Sequence, residues 1–222
     1  MNRLVSLLML CFVSPVLAWT FNQPIDRRNA FSSIVSGPVS GAILLSNVPP
    51  AAAADSTLAL ETFQDASTGV KLNIPSEWTA SVQELPDRRK LNIWMDPKDP
   101  KSLVFIAFTP VRDDFTSLGS FGSVDQVAVQ TILPKGQLAG VEVDSKMLSA
   151  VSAKQSYLFD YLQSVPNVQP MTHFRTIFTL QQGATGGAGS VLVTITAQTP
   201  EERYKNELES TFNKIIDSFT KS

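Results

Sequence analysis

Two stretches of opposite character divide the chain. From Asn29 to Ala54 no residue is charged, whereas from Asp55 onward charges recur every few positions between short apolar runs. Those runs stop at Pro, Gly or Asp, the way strands and their turns are written in sequence. Residues 70–74 form one such run, closed by Pro75, and 78–82 follow as a second. Residues 90–95 set Leu91, Ile93 and Met95 against Asn92 and Trp94, then halt at Asp96-Pro97-Lys98-Asp99-Pro100. Residues 103–108 are apolar on both faces, as expected of a central strand covered from two sides. Residues 155–163 align Tyr157, Phe159 and Tyr161, and 172–180 align Phe174, Phe178 and Leu180. Residues 191–198 align Val191, Val193, Ile195 and Ala197, with the loop 183–189 joining these last two strands as a hairpin.

Two segments carry a helical period instead. Ser123 and Gln126 have capping-box spacing, followed by a stripe of Val124, Val127, Ala128 and Thr131/Ile132. Near the C-terminus, Thr199 is the expected N-cap, Pro200 the first helical residue and Glu202 the capping-box acid. The stripe there is Tyr204, Leu208, Phe212, Ile215 and Phe219. That helix is about 27–30 Å long, enough to lie across a sheet. Consecutive strands with short turns and few parallel crossovers predict an α+β fold, a largely antiparallel β-sheet flanked by helices.

The uncharged stretch reads as address rather than fold. Arg3 precedes the apolar run 4–17, and Val16 and Ala18 sit at the −3 and −1 positions of a cleavage site, so 1–18 is the expected secretory signal peptide. The run is too short to span a bilayer core of about 30 Å as a helix. Arg27-Arg28 then precede the weakly apolar segment 34–48, closed by Pro49-Pro50 and Ala51 to Ala54. Twin arginine, modest hydrophobicity and an alanine-rich end are the features of a Tat-type signal. As a membrane anchor the segment is poor, because Gly37, Pro38, Gly41, Pro49 and Pro50 interrupt it. Behind a secretory signal, residues 19–54 resemble a plastid transit and thylakoid-lumen signal; the rival, a bacterial secreted protein, would have no use for the first signal. The serial arrangement resembles the bipartite presequences of red-alga-derived plastids, as in diatoms, with Trp19 at the new N-terminus. The mature domain is then 55–222.

Composition narrows the chemistry. Without Arg3, Arg27, Arg28 and Asp26, the mature domain keeps 15 basic against 19 acidic residues, a poor match to nucleic acid. The single cysteine, Cys11, falls in the signal peptide, which removes disulfides, thiol nucleophiles and cysteine-ligated metals from the domain. A single histidine, His173, excludes multi-histidine zinc sites and two-histidine catalysis. The loop Gly-Ala-Thr-Gly-Gly-Ala-Gly at 183–189 lacks the Lys-Ser/Thr of a phosphate loop and opens a strand, so it reads as a flexible hairpin loop. The pairs Asp96/Asp99 and Asp113/Asp114 read as turn formers.

A set of features in fixed order resembles the PsbP family of extrinsic photosystem II proteins. They are Phe63-Gln64-Asp65, Gly69 to Pro75 with Trp78, residues 105–110 ending in Pro110, and residues 118–122 with the following helix. Then come Ser156 to Tyr161, His173, Ala197-Gln198 to Tyr204, and Asp217-Ser218-Phe219. The match runs from about Phe63 to Phe219. Two departures are the short segment between Asp55 and Phe63, and Tyr204 where the family has tryptophan; both leave room for a PsbP-like or PsbP-domain paralogue.

The resemblance implies an antiparallel sheet between helices, an α/β/α sandwich, and a peripheral protein of the thylakoid lumen that is not an enzyme. The function it implies is an extrinsic photosystem II subunit supporting the oxygen-evolving complex through calcium and chloride retention. The alternative is a PsbP-like assembly factor or chaperone for a thylakoid photosynthetic complex. The expected partners are photosystem II lumenal subunits, with no nucleic acid and no tightly bound cofactor. His173 reads either as a hydrogen-bonded structural histidine or, through the family's association with divalent cations, as a weak ligand for Ca2+ or another divalent ion with Glu201. Arg88, Arg89, Lys90, Lys98 and Lys101 read either as solvated guards of an edge strand or as a basic patch that docks on acidic lumenal loops.

Overall fold

The computed structural model describes residues 58–112, 114–134, 136–138, 141–181 and 189–221. The signal peptide 1–18, the presequence 19–54, Asp113 and residues 183–188 of the glycine-rich loop lie outside the described residues. Eleven strands are present among them: β1 Leu60–Gln64, β2 Lys71–Pro75, β3 Thr79–Leu85, β4 Arg89–Asp96, β5 Asp99–Val111, β6 Gln137–Leu138, β7 Val141–Glu142, β8 Asp144–Ala153, β9 Ser156–Val165, β10 Gln169–Gln181 and β11 Ser190–Pro200. A short helix, α1, runs Val124–Val127 and continues as a π-helical turn through Ala128–Ile132. The C-terminal helix, α2, consists of Glu201–Arg203, a π-helical turn Tyr204–Leu208 and Glu209–Asp217.

Seven strands form one sheet in the order β3-β4-β5-β11-β10-β9-β8, antiparallel at every pairing. The alternation of side chains along β5 and β11 explains why both faces are covered. Val104, Ile106 and Phe108, with Val191, Val193, Ile195 and Ala197, form one core with Tyr204, Leu208, Phe212 and Ile215 of α2. The β1–β2 ladder closes the same side, with Leu72 and Ile74 buried and Phe63 packed edge-on against Trp94 at 4.8 Å between ring centroids. The opposite face pairs Val127, Ala128 and Ile132 of α1 with Tyr157, Phe159, Tyr161, Phe174 and Phe178. Full burial of one such side chain is worth about 1.5–3 kcal/mol, so these two layers hold the fold together. The architecture is the expected α+β sandwich.

Local devices follow the sequence closely in α1. Ser123 accepts the backbone N–H of Gln126, and Gln126 Oε1 accepts that of Ser123, the reciprocal box. Gly122 makes this possible: its φ is +115°, and a Cβ there would lie 2.8 Å from Gln126 Oε1. Asp87 and Arg88 (φ 64° and 60°) turn β3 into β4, and Lys154 and Gln155 (50° and 58°) turn β8 into β9.

The start of α2 differs from expectation. Thr199 is not its cap but the penultimate residue of β11, fully buried, with its hydroxyl 2.6 Å from Ser102 Oγ. Pro200 occupies the cap position with extended backbone (ψ 136°), and Glu202 makes no capping box. The ladder with β10 carries β11 through Pro200, and its hydrogen bonds override the local capping signal. The helix also ends before Phe219, which is still buried in the core although it lies past Asp217.

Candidate functional site

β10 is paired on both sides, and alternate residues face α2. His173, Arg175 and Ile177 are the ones on that side, opposite Leu162, Asp160 and Leu158 of β9. His173 is 4% exposed and sits under the first turns of α2. Its imidazole stacks on Tyr204, centroids 3.6 Å apart and 14° from parallel. Its Nδ1–H donates to Glu201 Oε2 at 2.6 Å, and Nε2 lies 2.7 Å from Asp160 Oδ1. That second approach is close but poorly aligned: neither Nε2 nor Oδ1 makes a hydrogen bond of normal direction. It is therefore an electrostatic contact and not a directed bond.

The network extends outward from there. Asp160 Oδ2 is 3.4 Å from Arg175 Nε, and Arg175 Nη1 donates to the Tyr204 hydroxyl at 3.2 Å and to Asn213 Oδ1. Glu201 Oε1 takes Lys205 Nζ at 2.7 Å, one helical turn on. Burial pushes the Glu201 carboxyl up, but hydrogen bonds from Lys205 and His173 outweigh it and hold the group below its ordinary 4.5. Burial raises the Tyr204 phenol, with Arg175 opposing. The π-helical turn at Tyr204–Leu208 is where α2 meets this cluster.

His173 and Glu201 are thus brought together as the sequence suggested, but as partners of each other. Calcium takes six to eight oxygen ligands. Here the paired nitrogen carries a proton toward Oε2, the other carboxylate oxygen is held by Lys205, and the ring is shut in under Tyr204. Among the described residues no group of three or more His, Asp or Glu is arranged to hold a cation. The donor set fits a hydrogen-bonded joint between sheet and helix; it does not fit a calcium ion.

The five basic residues do not form one patch. Arg88 and Arg89 lie at the β3–β4 turn, and Lys98 and Lys101 at the β4–β5 turn, so the length of β4, about 23 Å, separates them. Lys90 is engaged inward: its Nζ is 3.0 Å from the buried Asp65 and 5.5 Å from the Phe108 ring centroid. Asp65 also accepts from the backbone and hydroxyls of Ser67 and Thr68, which together overcome its burial and bring its carboxyl to about 2. Lys90 is an anchor of the β1–β2 loop. A linear reading groups these cations because a strand separates them by only a few residues of sequence.

Asp96 and Asp99 do form turns, accepting the backbone N–H groups of Lys98 and Lys101. They have a second use that spacing did not reveal. Arg203 of α2 reaches Asp96 at 2.6 Å, Asp99 at 3.4 Å and Ser102 Oγ at 2.9 Å, tying the helix start to the β4–β5 turn. Asp114 pairs with Arg112 on the surface.

The PsbP family model matches residues 59–221. "PsbP domain-containing protein 3, chloroplastic" of Arabidopsis thaliana is 25% identical over 195 residues, covering 87% of this chain and 76% of that one. The solution structure of cyanobacterial PsbP (CyanoP) from Synechocystis sp. PCC 6803 superposes with a TM-score of 0.51 at 13% identity, covering 84% of this chain and all of that one, which shows the shared fold.

Proposed function

The chain belongs to the PsbP family, and from that premise we propose that it works in the thylakoid lumen of a plastid as a peripheral, non-enzymatic subunit of photosystem II. In this role it helps the oxygen-evolving complex retain calcium and chloride. The observation that carries the reading is the family match across nearly the whole folded domain, placed behind a twin-arginine segment of lumenal type at Arg27-Arg28. The plastid assignment is further supported by the chloroplastic relative. Retention acts through the docked protein and not through an ion held at His173, whose partners are already committed. The lone histidine is taken up in packing, which supports binding and not catalysis as the mode of action.

A second reading is an assembly factor that visits a thylakoid complex and leaves. It is favoured by the relative being a PsbP domain-containing protein rather than a PsbP subunit. Thylakoid fractionation followed by a salt wash tests the docking half of the proposal. An electrostatically held subunit leaves the membrane as ionic strength shortens the Debye length to about 3 Å at 1 M. Retention through molar salt would contradict it.

A further inference from the structure

The two edges of the large sheet differ in kind. β8 is interrupted by a bulge between Met147 and Ser149 and carries Lys146, both devices that discourage edge-to-edge pairing. β3 has none of these. It pairs with β4 in unbroken register from Thr79 to Leu85 and contains no proline, lysine or bulge. None of its seven side chains is buried, and Val82 is 63% exposed. A strand that contributes nothing to either core is held by one ladder alone. Its outer row of backbone N–H and C=O groups recognises one kind of occupant, another extended backbone.

The residues along β3 indicate which backbone. In antiparallel pairing about a two-fold axis through Val82, Val82 faces its own symmetry mate and Ser81 faces the partner's Gln83. Ala80 then faces the partner's Glu84, and Thr79 the partner's Leu85. No like charges oppose within the strand, and the exposed β-branched residue meets its twin. The flanks are less favourable: the same two-fold sets the exposed Glu77 opposite the partner's Asp87 and Arg88 opposite the partner's Ser76, so the acidic pair confines the ladder to β3 and weakens it. Within β3 itself the strand is self-complementary, which is what an isologous interface requires.

We propose that β3 is a self-association edge, through which two copies of this chain join their sheets antiparallel about Val82. A ladder of seven residues is small beside the ~1,600 Å² of a standard interface, so the dimer is weak and concentration-dependent. Sedimentation velocity of the purified protein over a concentration series tests it. The expected result is a monomer–dimer equilibrium that Val82→Lys weakens at least tenfold, with an unchanged circular dichroism spectrum because the side chain is outside both cores. In a Cys11→Ser background, Val82→Cys is expected to cross-link into dimers on oxidation. Ala80→Cys, whose symmetry mate lies four residues away along the ladder, is expected to remain monomeric. A protein monomeric throughout, a Val82→Lys variant that associates as before, or equal cross-linking at the two positions would overturn the proposal. So would a protein that stays monomeric alone while Val82→Lys abolishes capture of a different thylakoid protein, since the edge would then serve another partner.

Discussion

Replacing His173 with alanine tests whether the joint between β10 and α2 is structural. The substitution deletes the ring stacked on Tyr204, a contact worth about 0.5–1.5 kcal/mol beyond its buried area. It also deletes the hydrogen bond to the Glu201 carboxylate, about 1.5–3 kcal/mol for a bond to a charged group. Neither acid is left alone, because Glu201 keeps Lys205 and Asp160 keeps Arg175. The two contributions together come to about 2–4.5 kcal/mol, to which the lost burial of the ring adds, and no orphaned buried charge adds further. A domain of 150–250 residues loses about 2–4 °C of Tm per kcal/mol, so thermal unfolding followed by circular dichroism at neutral pH should fall by about 10 °C. His173→Phe restores a ring against Tyr204 without the hydrogen bond, and is expected to recover part of the loss. A fall below about 2 °C for His173→Ala would refute the account of the joint, and equal losses for the two variants would refute the contribution of the stack.

Arg203→Ala should cost about 3–5 kcal/mol in the same assay, because it strands Asp96, whose side chain is 5% exposed, and unpins α2 from the β4–β5 turn. Arg203→Lys should recover only part, since a point charge cannot reach Asp96, Glu207 and Ser102 from one planar fork. Asp65, lowered from 3.8 to about 2, stabilises the fold above pH ~4, and this contribution disappears as pH falls from about 4 toward 2. It amounts to roughly 2 kcal/mol, and Asp65→Asn should flatten that limb of a stability–pH curve. Calorimetric titration of Ca2+ into wild type and His173→Ala should give indistinguishable heats; a signal lost in the variant would restore the metal reading of His173 and Glu201. Arg88→Ala and Arg89→Ala should leave the unfolding free energy within about 0.5 kcal/mol of wild type, whereas Lys90→Ala should lower it measurably by releasing the buried Asp65.

What could be read in the linear chain was whatever periodicity encodes. The stripe Tyr204, Leu208, Phe212 and Ile215 named the helix that covers the sheet, and Tyr157, Phe159 and Tyr161 named the face under α1. β8 escaped notice because an edge strand with Leu148 and Val151 exposed and only Met147 and Ala150 packed inward carries no strong alternation. Asp160 was invisible as a partner of His173 for a different reason. It joins the cluster through register, lying opposite Arg175 across the β9–β10 ladder, and register exists only once the sheet closes. Ser102 and Thr199 meet in the same way across β5 and β11, which is why a capping signal at Thr199 misled. The basic residues show the reverse failure, since nearness in sequence gave no sign that β4 sets Arg88 and Lys98 at its opposite ends.

The central claim is that this PsbP-family domain docks on photosystem II. Quantifying the protein in purified, oxygen-evolving photosystem II from the native thylakoid tests it most directly. The account predicts about one copy per reaction centre, released together with calcium-dependent activity by a salt wash and restored with it on add-back. Fully active photosystem II free of the protein, with the chain recovered on assembly intermediates or on another complex, would contradict it.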